Sequence, residues 1–296
     1  MYTNHLDPVL EERASLLECE GDYKVLRRVP PPYSHFPENG TPPDGKCIGI
    51  VDLETSGLNA DTDCIIELAL MLMWVDDNDE VIAHFGPLSW LEDPGVELDP
   101  RITIVTGLAN HHLVGNTIND ISVEGLLSRA DILIAHNAAF EIDFLERRYP
   151  ILEHAPWGCS LRDIDWLMAG FAARAQGHLL MQHGWFSEAH RAGPDVWSLF
   201  WLLNQRRRGL GTDPERTHLQ RLLDGVAKDS VIVEARGAPF SKKDLLKGRG
   251  YHWNAGAKFW QKELAEELVA HEQAWLYCEG FPAPFLRPIS AHQRHR

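Results

Sequence analysis

The longest apolar stretch of the chain, residues 64–75, is twelve residues long and has Glu67 set inside it. A membrane span needs about 20 apolar residues, so this run belongs in a protein core, and it reads as a buried strand over 65–75. Similar strand-like runs occupy 47–53 and 81–88. After a polar stretch the apolar spacing predicts a helix near 118–129, a short buried strand over 132–136, a helix from about 138 to 148 and a last strand over 157–160. Helical patterns then cover 161–173, 177–184 and 194–208. Strands first, then strands alternating with helices, predict an α/β fold: a mixed sheet flanked by helices. No segment repeats.

Residues 5–20 read as a helix whose apolar stripe (Leu6, Val9, Leu10, Leu16, Leu17) is incomplete, and 23–29 as a short strand. The many prolines and glycines of 30–45 suit a linker or extended arm. The expected organisation is an N-terminal helix and Pro-rich arm over 1–45, a main domain over 46–212 closed by the loop 209–213, a linker over 213–230 and a small α+β module over 231–296. With 44% hydrophobic and 24% charged residues the chain suits a folded soluble protein. Residues 1–20 lack the cationic start and apolar run of a signal peptide. Five widely spaced cysteines with no C-x-x-C pair argue against a disulfide framework or a zinc ribbon, and for a reducing cytoplasm. The net charge of -15 predicts poor attraction to nucleic acid. Yet residues 231–296 carry ten Lys/Arg against seven Asp/Glu, so the tail is slightly basic on an acidic body. Charge alone does not decide the function.

The strongest local signal is Ile48-Gly49-Ile50-Val51-Asp52-Leu53-Glu54-Thr55-Ser56-Gly57. The two-residue strand period puts Asp52 and Glu54 on one face. Two like charges on a core strand are costly unless a cation or protons neutralise them. Equally, a strand end could let both acids reach solvent, and these residues alone leave both readings open. A second segment runs from a buried strand through His136-Asn137-Ala138-Ala139-Phe140-Glu141 into a helix with acids in its first turns. A third is His190-Arg191-Ala192-Gly193-Pro194-Asp195. There Pro194 fits the first helical position, placing Asp195 in the first turn, where it would also serve the helix dipole.

Taken in order, the three segments resemble the DnaQ-like (DEDDh) 3′–5′ exonucleases over about 47–205. The family shares an Asp-x-Glu strand, a His-Asn-Ala-x-Phe-Asp helix start and a closing His-x-x-x-x-Asp. Arg101-Ile102-Thr103-Ile104-Val105-Thr106-Gly107-Leu108 is similar to its Ile-x-x-x-Thr-Gly-Ile segment, and 157–166 is similar to a bacterial subset. One departure is Glu141, where the family usually has Asp. The resemblance implies a ribonuclease H-like fold and hydrolysis of nucleic-acid 3′ ends, with release of nucleoside monophosphates. It further implies two Mg²⁺ or Mn²⁺ ions on Asp52, Glu54, Glu141 and Asp195, with Asp52 bridging both and His190 as general base. Hard carboxylate donors without a Cys/His cluster suit those ions better than zinc. Thr55, Thr106, Gly107, Asn137 and Phe140 are the implied contacts to the terminal nucleotide. The expected partner is single-stranded DNA, ahead of RNA, with no membrane. A polymerase or repair partner is allowed, but no clamp-binding peptide is evident near the C-terminus. The rivals are an RNA-trimming relative and a degenerate fold that only binds nucleic acid or a partner.

Glu141 and Asp143 compete for the third carboxylate. On a helix from about Ala138, Glu141 lies three and four residues before Phe144 and Leu145, on the stripe that must face the sheet. Asp143 lies about 200° around the helix, one turn before Arg147, where a surface ion pair is expected. In the tail, Ser241 is expected to cap a short helix ended by Gly248 or Gly250, ahead of a hairpin turning at 254–256. Trp253 and Trp260 fit the core of so small a unit. Lys242, Lys243, Lys247 and Arg249 are left open between solvent and nucleic acid.

Overall fold

A computed structural model of the chain describes residues 6–188, 190–206, 215–226 and 228–296, so the expected closing loop 209–213 lies outside the described residues. The chain forms two units, one of residues 1–223 with 295–296 and the other of 224–294. The first opens with α1 (Pro8–Cys19), capped by the Asp7 carboxylate on the amides of Val9 and Leu10. Its apolar residues Val9, Leu10, Leu16 and Leu17 are exposed, which accounts for the incomplete stripe. The two-residue β1 (Arg27–Arg28) follows. The Pro-rich segment packs within this unit: Trp197 Nε1 donates to the Pro30 carbonyl, and Tyr33 meets His84 and Trp197 edge-on.

Three antiparallel strands follow, β2 (Lys46–Thr55), β3 (Ile65–Val75) and β4 (Val81–Leu91). The polar stretch forms two short helices, α2 (Pro100–Thr106) and α3 (Asn110–Leu113), which apolar spacing did not predict. Then come α4 (Asp120–Leu127), β5 (Ile132–Ala135), α5 (Ala138–Arg148) and β6 (Trp157–Cys159). The sheet order is β4-β3-β2-β5-β6, with β5 parallel to both β2 and β6. Every residue of β3 is buried, so the longest apolar run is the strand between β2 and β4. Val51 and Leu53 of β2 pack with Val123 and Leu127 of α4 and Ala138, Ile142 and Leu145 of α5.

The helix expected over 161–173 is only α6 (Ser160–Asp163). Trp166 then turns inward, donating Nε1 to the Ser160 carbonyl, and the chain runs on in turns. Next are α7 (Gln176–Gln182), β7 (Trp185–Phe186), paired with β1, and α8 (Ala192–Leu203). Helix α8 packs on β2, β3 and β4 and starts two residues before Pro194, which therefore is not its first residue. Helix α9 (His218–Val226) occupies half of the expected linker and carries the division between the units.

The second unit is a four-stranded antiparallel sheet, order β11-β8-β10-β9, built from β8 (Ser230–Ala235), β9 (His252–Asn254), β10 (Phe259–Ala265) and β11 (Phe285–Ile289). Two helices, α10 (Lys243–Gly248) and α11 (Glu266–Cys278), complete it. Leu246, Tyr251, Leu276 and Phe281 join Val233 and Ala235 in its core, with Trp260 packed against them. Ser241 lies inside a short 3₁₀ turn, and α10 begins without a side-chain cap. Among the described residues no helix is long and apolar enough to cross a membrane, and all five cysteines are free.

Candidate active site

Strand β2 ends where β5 hands over to α5, so its last carboxylates meet acids from two helices. Asp52 and Glu54 leave the sheet on the side away from Val51 and Leu53, as alternate residues must. Carboxylate oxygens of Asp52, Glu54 and Asp195 lie within 4.8 Å of one another. All three side chains are half-buried. Glu141 of α5 is 4% exposed, and its Oε2 has no hydrogen-bond partner. Asp143 on the opposite side of α5 is exposed. The ion pair expected between Asp143 and Arg147 is absent, because Arg147 reaches Asp61 at 2.6 Å instead.

Crowding and burial set the electrostatics. Burial, then the charges of Glu141, Asp195, Glu54 and Glu67, hold the Asp52 carboxyl well above its usual range. Burial pushes Glu54 up to about 7, helped by Asp195 and Glu67 and opposed by Arg191. Burial pushes Glu141 up to about 8. Asp195 is raised too, chiefly by burial, although backbone amides of His190 and Arg191 partly offset it. Such a set prefers either protons or a bound cation at neutral pH.

The closing segment is held from two sides. Asp195 Oδ2 accepts from the amides of His190 and Arg191 at 2.7 and 3.2 Å. Glu67, buried in β3 opposite Glu54, accepts from Arg191 Nε at 2.8 Å, from its terminal nitrogen at 3.1 Å and from the Ala192 amide at 3.2 Å. Between these anchors His190 takes a left-handed backbone, φ 66°, with its side chain exposed. Glu67 is the residue that sequence reasoning missed. It stood out only as the acid interrupting the apolar run, and its partner lies 124 positions away. His136 is a second such residue. Its Nε2 donates to the Arg174 carbonyl at 2.9 Å, so its Nδ1 accepts from the Ser160 hydroxyl at 2.7 Å. Burial lowers this imidazole to about 4, and the neutral ring fixes the turn ahead of Asn137.

The remaining candidates divide. Glu54, Thr55, Thr106 and Phe140 line one groove of about 470 Å³ together with Leu58, Ile102 and Val105. Thr106 is buried, its hydroxyl donating to the Ile102 carbonyl and accepting from the Leu108 amide. Gly107 ends α2 with φ 71°, the left-handed cap that glycine adopts without strain. Neither Gly107 nor the exposed Asn137 lines that groove.

The donors fit hard divalent cations: the convergent carboxylates of Asp52, Glu54 and Asp195 are all oxygen, and Glu141, outside that 4.8 Å cluster, adds a buried oxygen with no protein partner. No established family profile matches the sequence. Over 102 residues the chain is 35% identical to the DNA polymerase III PolC-type of Listeria welshimeri, covering 34% of this chain and 7% of that protein. Over 111 residues it is 30% identical to ribonuclease T of Buchnera aphidicola, covering 32% of this chain and 49% of that protein. The chain thus spans from under a tenth to about half the length of these relatives. In structure it is similar to exonuclease I, with a TM-score of 0.50 at 14% identity, over 84% of this chain and 63% of that one. That likeness extends to the mixed five-stranded sheet with its flanking helices.

Proposed function

We propose that the chain is a metal-dependent nuclease of the DnaQ-like (DEDDh) 3′–5′ exonuclease type, a reading that its partial likeness to a PolC-type DNA polymerase III and to a ribonuclease T supports. It hydrolyses single-stranded DNA from the 3′ end and releases nucleoside monophosphates in the cytoplasm. One observation carries this reading: Asp52, Glu54 and Asp195 converge within 4.8 Å beside the buried, unpartnered Glu141 oxygen. These four residues would hold two Mg²⁺ or Mn²⁺ ions. Bound there, such ions supply Lewis-acid activation and neutralise charge at the phosphate.

The chain's own residues do the rest. Thr55, Thr106 and Phe140 give the terminal nucleotide a groove that Glu54 of the acid set also lines, with Gly107 and Asn137 as further contacts. His190, exposed on a loop tied to Asp195, takes the proton as water attacks phosphorus. The new oxygen–phosphorus bond forms as the bond to the 3′ oxygen breaks. A 5′-monophosphate leaves, and the departing 3′ oxygen takes a proton from solvent, so the shortened strand ends in a 3′ hydroxyl. Glu67 acts one step removed, because its grip on Arg191 and Ala192 fixes where His190 and Asp195 stand.

Similarity to a ribonuclease T supports a second reading, trimming of RNA 3′ ends. Product analysis on 3′-labelled and 5′-labelled DNA and RNA strands, with Mg²⁺ or Mn²⁺, separates the two. The DNA reading expects labelled mononucleotide at once from 3′-labelled DNA, and a descending ladder from 5′-labelled DNA. The same pattern from RNA alone would establish the second reading, and no metal-dependent product from either would overturn both.

A further inference from the structure

Most of the basic residues of the second unit are held by an acid or a carbonyl. Arg236 and Arg287 both pair with Glu234, Arg249 and Lys262 with Glu272, and Arg294 with Glu263. The Lys242 ammonium is bound to the carbonyls of Glu279 and Gly280 that end α11. Among the described residues Lys228, Lys243, Lys247 and Lys258 have no ion pair. Of these, Lys243 and Lys247 stand one turn apart on the same side of α10. Lys243 Nζ lies 4.2 Å over the ring of Phe240, which is 78% exposed.

The aromatic residues divide in the same way. Tyr251 and Trp260 belong to the packed interior, whereas Trp253 on β9 is 50% exposed. Trp253 stands opposite Trp260 in register, and directly opposed residues share a face of the sheet. It is therefore on the side that carries Leu246 of α10, at the edge strand where cover ends. Its ring meets Trp260 edge-on at 5.7 Å, yet half of the indole surface left in water gives up burial worth about 1 kcal/mol or more, so core packing accounts for only part of Trp253. The chain as a whole is strongly acidic and would repel phosphate. The Lys243 ammonium over the exposed Phe240 ring is a local exception.

We propose that Phe240, Lys243, Lys247 and Trp253 form a contact surface for single-stranded nucleic acid, distinct from the acid site of the first unit. The ammonium groups meet phosphates, and the rings stack on bases that a duplex would keep paired and covered. The surface supplies binding and no chemistry, so it stands or falls apart from the nuclease reading.

The test is fluorescence anisotropy of the full chain with labelled oligothymidylate, oligouridylate and a blunt duplex, in EDTA so that no hydrolysis is required. Lys243→Glu with Lys247→Glu should weaken single-strand binding at least tenfold. It should also cut the slope of log affinity against log salt by about 1.4, the share of two phosphate contacts. Trp253→Ala should weaken binding by about tenfold, and Trp253→Phe should restore most of the loss, because one stacked base is worth ~1–3 kcal/mol. The two single strands should bind within a few-fold of each other and more tightly than the duplex. Unchanged affinity and salt slope in the lysine variant would overturn the proposal. So would equal binding of duplex and single strand, or a loss in Trp253→Phe as large as in Trp253→Ala.

Discussion

Both units bury glutamates, and they treat them in opposite ways. In the second, Glu234 and Glu272 are 2% and 3% exposed, and each is held by two cations of its own unit. In the first, Glu141 is buried to the same degree with one oxygen unpartnered, close enough to Asp52 and Glu54 for their charges to act on one another, and among the described residues no ion pair reaches it. Burial alone therefore does not mark a functional carboxylate; burial without a cation of the chain's own does. Glu67 draws the line inside the first unit. It too is buried, but Arg191 answers it, and its part is to position the loop.

Three substitutions can break this contrast. The largest effect is expected at Asp52. Asp52→Asn should lower hydrolysis at least about a thousandfold, a loss on the scale of losing a main electrostatic stabiliser. Its metal-free melting temperature should hold or rise, since one of the crowded charges is gone. Near-normal Mg²⁺-dependent activity in a steady-state assay would remove Asp52 from the site. His190→Ala comes next, with a rate loss of roughly two to four orders of magnitude. Calorimetric metal affinity should change far less than in Asp195→Asn. If His183, which follows α7 and hydrogen-bonds His218, is the sensitive position instead, the closing motif has been assigned to the wrong histidine.

The contrast sharpens at Glu272. Glu272→Gln should destabilise the chain by about 2 kcal/mol in urea unfolding, less than the full cost of breaking a buried pair because Arg249 and Lys262 keep some water. Hydrolysis of short strands should not change. A stabilised Glu272→Gln would erase the difference between the two kinds of buried acid.

Much of the site was legible because strand and helix periods are local. Two residues of spacing set Asp52 and Glu54 on one face, and the helical stripe of Phe144 and Leu145 marked Glu141 as the inward acid. The misreadings have non-local causes. The segment after β6 keeps helical spacing, but Trp166 leaves it to bond the Ser160 carbonyl, and the helix stops at Asp163. Helix α8 begins early because Glu67, from another strand, receives the Ala192 amide. Glu67 and His136 owe their roles to partners 124 and 38 positions away, which no local pattern shows.

The smallest effect sharpens the same helix. Asp143→Asn, on the exposed side of α5, should change neither rate nor stability beyond about 0.5 kcal/mol. A dead Asp143→Asn variant would mean that the third ligand had shifted along the helix.

The central claim, that Glu141 is buried to meet a cation, has a sign that melting can read. Its folded pKa of about 8 lies above the usual carboxylate value, as does that of Glu54 at about 7. Their contribution is therefore fully present below about pH 4.5 and is lost as pH rises through 7 to 8. Buried neutral His84 and His136, lowered to about 4, act the other way: their contribution is lost as pH falls from about 6.5 through 4. Comparing wild type with Glu141→Gln at each pH cancels the histidines. In EDTA at pH 8, Glu141→Gln should melt above wild type, with the gap closing toward pH 5, and saturating Mn²⁺ should reverse the order. A wild type that already melts higher in EDTA at pH 8, and that Mn²⁺ leaves unmoved, would contradict it.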